Sequence, residues 1–151
     1  MPILSDTRHK RPYQQKSDAE LRLKDVETLL RTITMMPLHS RTKKKMLNHV
    51  LWLVVELTGN FHCQYRSAGV LKDTGVRIQR DHIYPRKQLV EELLGPEPNF
   101  ADIVTRAQCC VVTHEEHQLL TKVPKEVLGW ERYEKAGVKW YDMRTHVYAD
   151  S

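Results

Sequence analysis

The chain has no apolar run able to cross a bilayer: the longest, Val50 to Val55, falls far short of the roughly 20 residues a spanning helix needs. Its opening, Met1-Pro2-Ile3-Leu4-Ser5-Asp6, lacks the charged-then-apolar pattern of a secretory signal, so a cytoplasmic address and no membrane partner are the expectation. Cysteine is scarce and odd in number. Cys63 stands alone, Cys109 and Cys110 are neighbours that cannot close a comfortable disulfide within a strand, and no Cys-x-x-Cys pair occurs. These absences argue against a disulfide scaffold and favour reduced core thiols. Repeats and low-complexity tracts are also missing.

What is present is ordinary in bulk and uneven in detail. The 151 residues are 40% hydrophobic and 28% charged, which suits one soluble domain that buries its own core. The net charge of +5 is concentrated: residues 1–50 hold 11 Lys and Arg against 5 Asp and Glu, whereas residues 51–100 balance and residues 101–151 are slightly acidic. A basic first third is what attraction to phosphate requires, although a solvated tail carries the same composition.

The expected organisation is a flexible basic arm over 1–16 followed by a single domain over 17–151. Within it, Ser17-Asp18-Ala19-Glu20 reads as a capping box, and Ala19, Leu23, Val26, Leu30 and Ile33 recur at helical spacing up to Met36, before Pro37. A second helix is predicted from Ser40 to Leu57, completing a helical pair over 17–60, with Thr58-Gly59-Asn60 as its stop. Arg41, Lys43, Lys44 and Lys45 crowd its start, against the helix dipole, and an anionic partner would relieve that cost.

Phe61 to Ser67 reads as a loop and Asp73-Thr74-Gly75 as a turn. Val76 to Ile83 alternates as a strand, Arg86 to Leu94 reads as a short helix, Phe100 to Thr105 is left open, and Ala107 to Val112 is a second strand. Thr113 and Glu116 form another capping box that opens a helix, and the positive end of that helix can itself help hold a phosphate. Trp130, Tyr133, Trp140 and Tyr141 are expected to pack a segment over 123–151.

The chemistry centres on Asp81-His82. A carboxylate can hold a divalent cation and a neighbouring imidazole can take a proton from water, but in a strand the two side chains point to opposite faces. They share a site only where the strand bends or ends, and Pro85 places such an end close by. His114 and His117 lie about one turn apart at the start of the downstream helix and are the candidates for a further ligand.

Asp81-His82-Ile83-x-Pro85, a strand through Cys110-Val111-Val112, and a helix opening Thr113-x-x-Glu116-His117 together resemble the ββα-metal finger of HNH, or His-Me finger, endonucleases. The resemblance covers about residues 76–122, and Gly129 to Val138 is similar to a tail that follows such fingers. It implies an α+β fold, a ββα-metal finger with an N-terminal helical pair and additional short helices. It also implies Asp81 and His117 as metal ligands, with His114 as the alternative ligand, and His82 as general base. The implied cofactor is one divalent ion, commonly magnesium, with manganese, nickel or zinc as substitutes. The implied partner is DNA, with RNA left open, cleaved to a 3′-hydroxyl and a 5′-phosphate, and a homodimer or sequential nicking would cut both strands. Arg80, Arg86, Lys87 and the Lys43, Lys44, Lys45 run are candidate phosphate contacts. The family's middle asparagine has no counterpart, since Asn99 lies 18 residues before His117 and Gln108 sits nearer its place. An alternative keeps Cys110, His114 and His117, joined by His82 or Cys109, as a structural zinc site in a non-catalytic nucleic-acid-binding module.

Overall fold

A computed structural model describes residues 13, 15–59, 63–72 and 76–144. Most of the expected basic arm and the turn expected at Asp73-Thr74-Gly75 lie outside the described residues. The described chain is an α+β structure of seven helices and a four-stranded mixed sheet, divided into two compact units.

The first unit, Gln15–Thr58 with Tyr84–Gln108, is helical. Helix α1 (Ala19–Met35) buries Ala19, Val26, Leu30 and Ile33, the periodic positions of its sequence. The Ser17 capping box does not form: Asp18 is the N-cap, without a side-chain cap bond, and the Ala19 N–H is already satisfied by the Lys16 carbonyl at 3.0 Å. Met36 turns extended with ψ of 141° ahead of Pro37, which stops the helix. Helix α2 (Ser40–Leu57) buries Leu47, Leu51, Val54, Val55 and Leu57, and the His39 ring accepts from the Arg41 N–H at its start.

Two further helices complete this unit from a distant part of the chain. Helix α4 (Arg86–Leu93) contributes Leu89, Val90 and Leu93, and α5 (Phe100–Arg106), capped by the Asn99 side chain, contributes Ile103 and Val104. All join α1 and α2 in one apolar cluster. The segment left open at Phe100 is thus a helix, and Ala107, read as strand, is its C-cap.

The second unit takes in Gly59–Ile83 and Cys109–Ser151 and carries the sheet, in the order β2-β3-β1-β4. Strand β2 (Ile78–His82) pairs antiparallel with β3 (Cys109–Thr113), in a register that sets Asp81 opposite Cys110 and His82 opposite Cys109. Strand β1 (Tyr65–Ser67) runs parallel to β3 and antiparallel to β4 (Trp140–Asp142).

The expected loop over Phe61 to Ser67 is therefore corrected at its end. Tyr65–Ser67 is an inner strand whose Arg66 and Ser67 are buried although polar, so no apolar alternation marks it. Helix α3 (Ala68–Lys72) follows it directly and supplies Val70 to a cluster with Cys63, Val111 and Ile78. Helices α6 (His114–Thr121) and α7 (Gly129–Ala136) lie beyond β3 in the chain, and Gly137 ends α7 in the left-handed region at φ 73°.

Candidate functional site

Strand β3 is buried at every position, and its last residue, Thr113, is also the N-cap of α6. The Thr113 side chain accepts from the Glu116 N–H at 3.1 Å while Glu116 Oε1 accepts from the Thr113 N–H at 2.9 Å, a complete capping box. Ser67 Oγ donates to the same Oε1 at 2.5 Å. Helix α6 is thereby fixed to the end of the sheet, and with it His114 and His117.

An aromatic group does the same for α7. Trp130 stacks on Trp140 at 3.7 Å and meets Tyr65 and Tyr133 edge-on at 5.0 and 4.9 Å. These contacts tie α7 to β1 and β4 and hold Arg132 and Tyr133 at the β2–β3 ladder.

Asp81, 3% exposed, is the convergence point. Arg132 Nη1 donates to Oδ2 at 2.8 Å and Nη2 to Oδ1 at 3.0 Å, and the Tyr133 hydroxyl donates to Oδ2 at 2.5 Å. Burial alone would pull the Arg132 guanidinium down, but the bonds and charge of Asp81 outweigh it and hold it above its ordinary range. Burial pushes the Tyr133 phenol well up, with Cys110 and Asp81 adding to the effect, so it stays a donor.

His117 stands beside this group. Its Nδ1 lies 3.3 Å from Asp81 Oδ1, within ion-pair reach, yet it is buried and makes no aligned hydrogen bond among the described residues. The two atoms stand side by side, close but not on a straight N–H···O line. Atoms that ligate an octahedral ion at about 2.1 Å sit roughly 3 Å apart. The pair therefore fits two adjacent ligand positions of a divalent ion, and magnesium sites commonly draw one or two protein ligands and complete their shell with water and phosphate.

The other histidines are placed differently. His114 has Gln79 Nε2 2.9 Å from Nδ1 and Gln118 Nε2 3.2 Å from Nε2, so amides occupy both ring nitrogens. The Gln79 oxygen is buried without a bond among the described residues, and turning that amide over lets it accept from Nδ1–H while Nε2 accepts from Gln118. His82 leaves β2 on the face opposite Asp81, and its Nδ1 lies 3.3 Å from the sulfur of Cys109, its cross-strand partner. The ladder is regular through His82, so the strand ends at the histidine and does not bend between it and Asp81.

The structural-zinc alternative meets a geometric obstacle. Such sites need about four ligands, and among the described residues, which include all its candidates, no three His, Cys, Asp or Glu side chains gather. Burial also pushes the Cys110 thiol well above its ordinary range.

The candidate phosphate contacts separate. Lys44, Lys45 and Lys87 line one open cleft of about 320 Å³ in the helical unit with Asn48, Val90 and Glu91. Lys43 instead donates from Nζ to the Thr34 carbonyl at 3.1 Å, and Arg86 lies over the Trp52 ring at 5.1 Å. Arg80 pairs with Val111 inside the ladder. At the middle position, the Gln108 amide oxygen is buried with no hydrogen-bond partner among the described residues.

Sequence reasoning gave Arg132 no role and Tyr133 only a packing one. The only signal was their setting in the segment Gly129 to Val138, and neither residue type announces contact with a carboxylate 51 and 52 positions earlier. No helix among the described residues is long and apolar enough to cross a membrane. Comparison with protein-family models, with curated proteins and with solved structures gives no match in any of the three.

Proposed function

We propose that the chain is a divalent-metal-dependent endonuclease of the HNH kind that hydrolyses phosphodiester bonds in DNA, with β2, β3 and α6 as its ββα-metal finger. The observation that carries the reading is the 3.3 Å approach of His117 Nδ1 to Asp81 Oδ1, made from an antiparallel strand pair and a helix capped by the last residue of the second strand. Asp81 and His117 would hold the ion. When bound, it neutralises charge on the scissile phosphate and on the departing 3′ oxygen.

His82 takes a proton from the attacking water. His82 follows Asp81 as the last residue of β2, so the two side chains can serve one phosphate only from the end of the strand. The thiol of Cys109 beside His82 Nδ1 limits how the ring turns. Lys44, Lys45 and Lys87 bind backbone phosphates and add affinity rather than chemistry.

The test is incubation of the purified protein with supercoiled DNA, linear DNA and single-stranded RNA in magnesium, in manganese and in chelator. Nicking of DNA that needs the ion is expected, with a loss of about 10²- to 10⁴-fold in His82→Ala. His117→Ala should lose activity at low ion and recover part of it at high ion. Intact DNA under every ion, or full activity in His82→Ala, would overturn the assignment, and cleavage of RNA alone would change its substrate.

A further inference from the structure

Asp81 is held in a way that a metal ligand alone does not require. Both carboxylate oxygens already face a permanent cation, since Arg132 spans them with two parallel bonds of 2.8 and 3.0 Å. The guanidinium is anchored on its other edges too: Nε donates to the Leu120 carbonyl at 3.3 Å, and Nη1 reaches the His82 carbonyl at 3.5 Å. Its side chain is 15% exposed. An arginine fastened by strand, helix end and carboxylate does not swing aside when an ion arrives.

The charge balance of these three groups follows. Asp81 contributes −1, Arg132 +1 and a ligating neutral His117 nothing, so Arg132 cancels the attraction that Asp81 alone would offer a divalent ion. An ion at Oδ1 also lies beside the Nη2 that donates to that same oxygen, and like charges so close repel strongly where water is scarce. A phosphodiester reverses the balance by bringing negative charge that the ion and the guanidinium can share.

We infer that Arg132 is a resident competitor for the ion at Asp81, which keeps divalent-metal binding weak in the free protein and couples it to arrival of a phosphodiester. The inference rests on the metal site proposed above. Arg132 is a positioning residue: it acts through Asp81 and its effect is on when the site loads.

The experiment measures manganese binding to the full chain by calorimetry and by the electron paramagnetic resonance of free Mn²⁺. Titrations are run with Mn²⁺ alone and with Mn²⁺ plus a short duplex of phosphorothioate DNA. Arg132→Gln should bind Mn²⁺ alone at least tenfold more tightly than the unmodified chain, and the tightening brought by the duplex should shrink by a similar factor. Arg132→Lys keeps a cation and covers the case in which the glutamine variant fails to fold; its affinity should fall between the two. Tyr133→Phe removes a neutral bond to Oδ2 and should change the affinity less than threefold.

A folded Arg132→Gln that binds Mn²⁺ no more tightly overturns the inference, as does Tyr133→Phe matching it, which would assign the effect to carboxylate freedom. If Arg132→Gln gains affinity that Asp81→Ala abolishes while DNA stays uncut, the competitor stands and the nuclease reading falls. If DNA is cut but Arg132→Gln gains nothing, the nuclease reading stands and the competitor falls. Binding to none of the variants overturns both.

Discussion

Arg132 and Asp81, separated by 51 positions in the chain, form a two-bond ion pair at a carboxylate that is 3% exposed. Removing one partner of such a pair leaves an uncompensated buried charge, which typically costs about 3–5 kcal/mol. Asp81→Ala and Arg132→Ala should each destabilise the chain on that scale in urea unfolding. The double variant should cost clearly less than their sum, because neither charge is then stranded. Strict additivity would show that the pair is not coupled.

A second prediction concerns Gly69 and Glu116. A β-carbon at Gly69 would lie 2.8 Å from Glu116 Oε1 and 2.9 Å from its Cδ, closer than non-bonded atoms approach. The backbone there is ordinary helix, and the three nearest atoms all belong to that carboxylate. Gly69→Ala must push Glu116 away from Ser67 Oγ and the Thr113 N–H, undoing the cap of α6 at about 1–2 kcal/mol. In a Glu116→Ala background the same change should cost little. Equal costs in both backgrounds would assign the effect to the α3 backbone.

The sequence made some of this legible and hid the rest for physical reasons. Helix α2 has its predicted bounds, Ser40–Leu57, because its apolar stripe is long and a proline and a glycine mark its surroundings. The Thr113–Glu116 box was readable because both halves of the cap lie within four residues. Strand β1 was not, since a three-residue inner strand with a buried arginine carries no periodic signal. Of the candidate site, the motif singled out Asp81 and His117, which the fold brings within 3.3 Å, whereas Arg132 and Tyr133 depend on an aromatic stack, Trp130 on Trp140, that fixes α7 only in three dimensions.

The candidate phosphate-binding lysines do not act alike. Lys44, Lys45 and Lys87 share a cleft, while the Lys43 ammonium is bound to the Thr34 carbonyl between α1 and α2. Replacing Lys44, Lys45 and Lys87 by alanine should weaken DNA binding and reduce the slope of log affinity against log salt by up to about 2–3, close to one for each phosphate no longer neutralised. Lys43→Ala should leave the slope unchanged and lower thermal stability slightly. An unchanged slope in the triple variant would remove the cleft from the proposed DNA-binding surface.

Burial of Cys63 and Cys110 ties the stability of the fold to alkaline pH. Burial pushes the Cys63 thiol up to about 11 from an ordinary value of 9.0, despite the opposing charge of Arg66. A group that holds its proton more tightly folded than unfolded contributes stability that is complete below the unfolded value and is lost as pH rises through the folded one. Between about pH 9 and 11 the unfolded chain releases this proton first, so unfolding becomes easier by about 2–3 kcal/mol from Cys63 alone. Cys110 and Tyr133 are shifted in the same direction by burial and steepen the loss. Urea midpoints measured from pH 7 to 11 should fall steadily above pH 9, and Cys63→Ala, though less stable at pH 7, should show a shallower fall. A midpoint flat across that range would mean that the thiol is hydrated when folded, contrary to its 2% exposure.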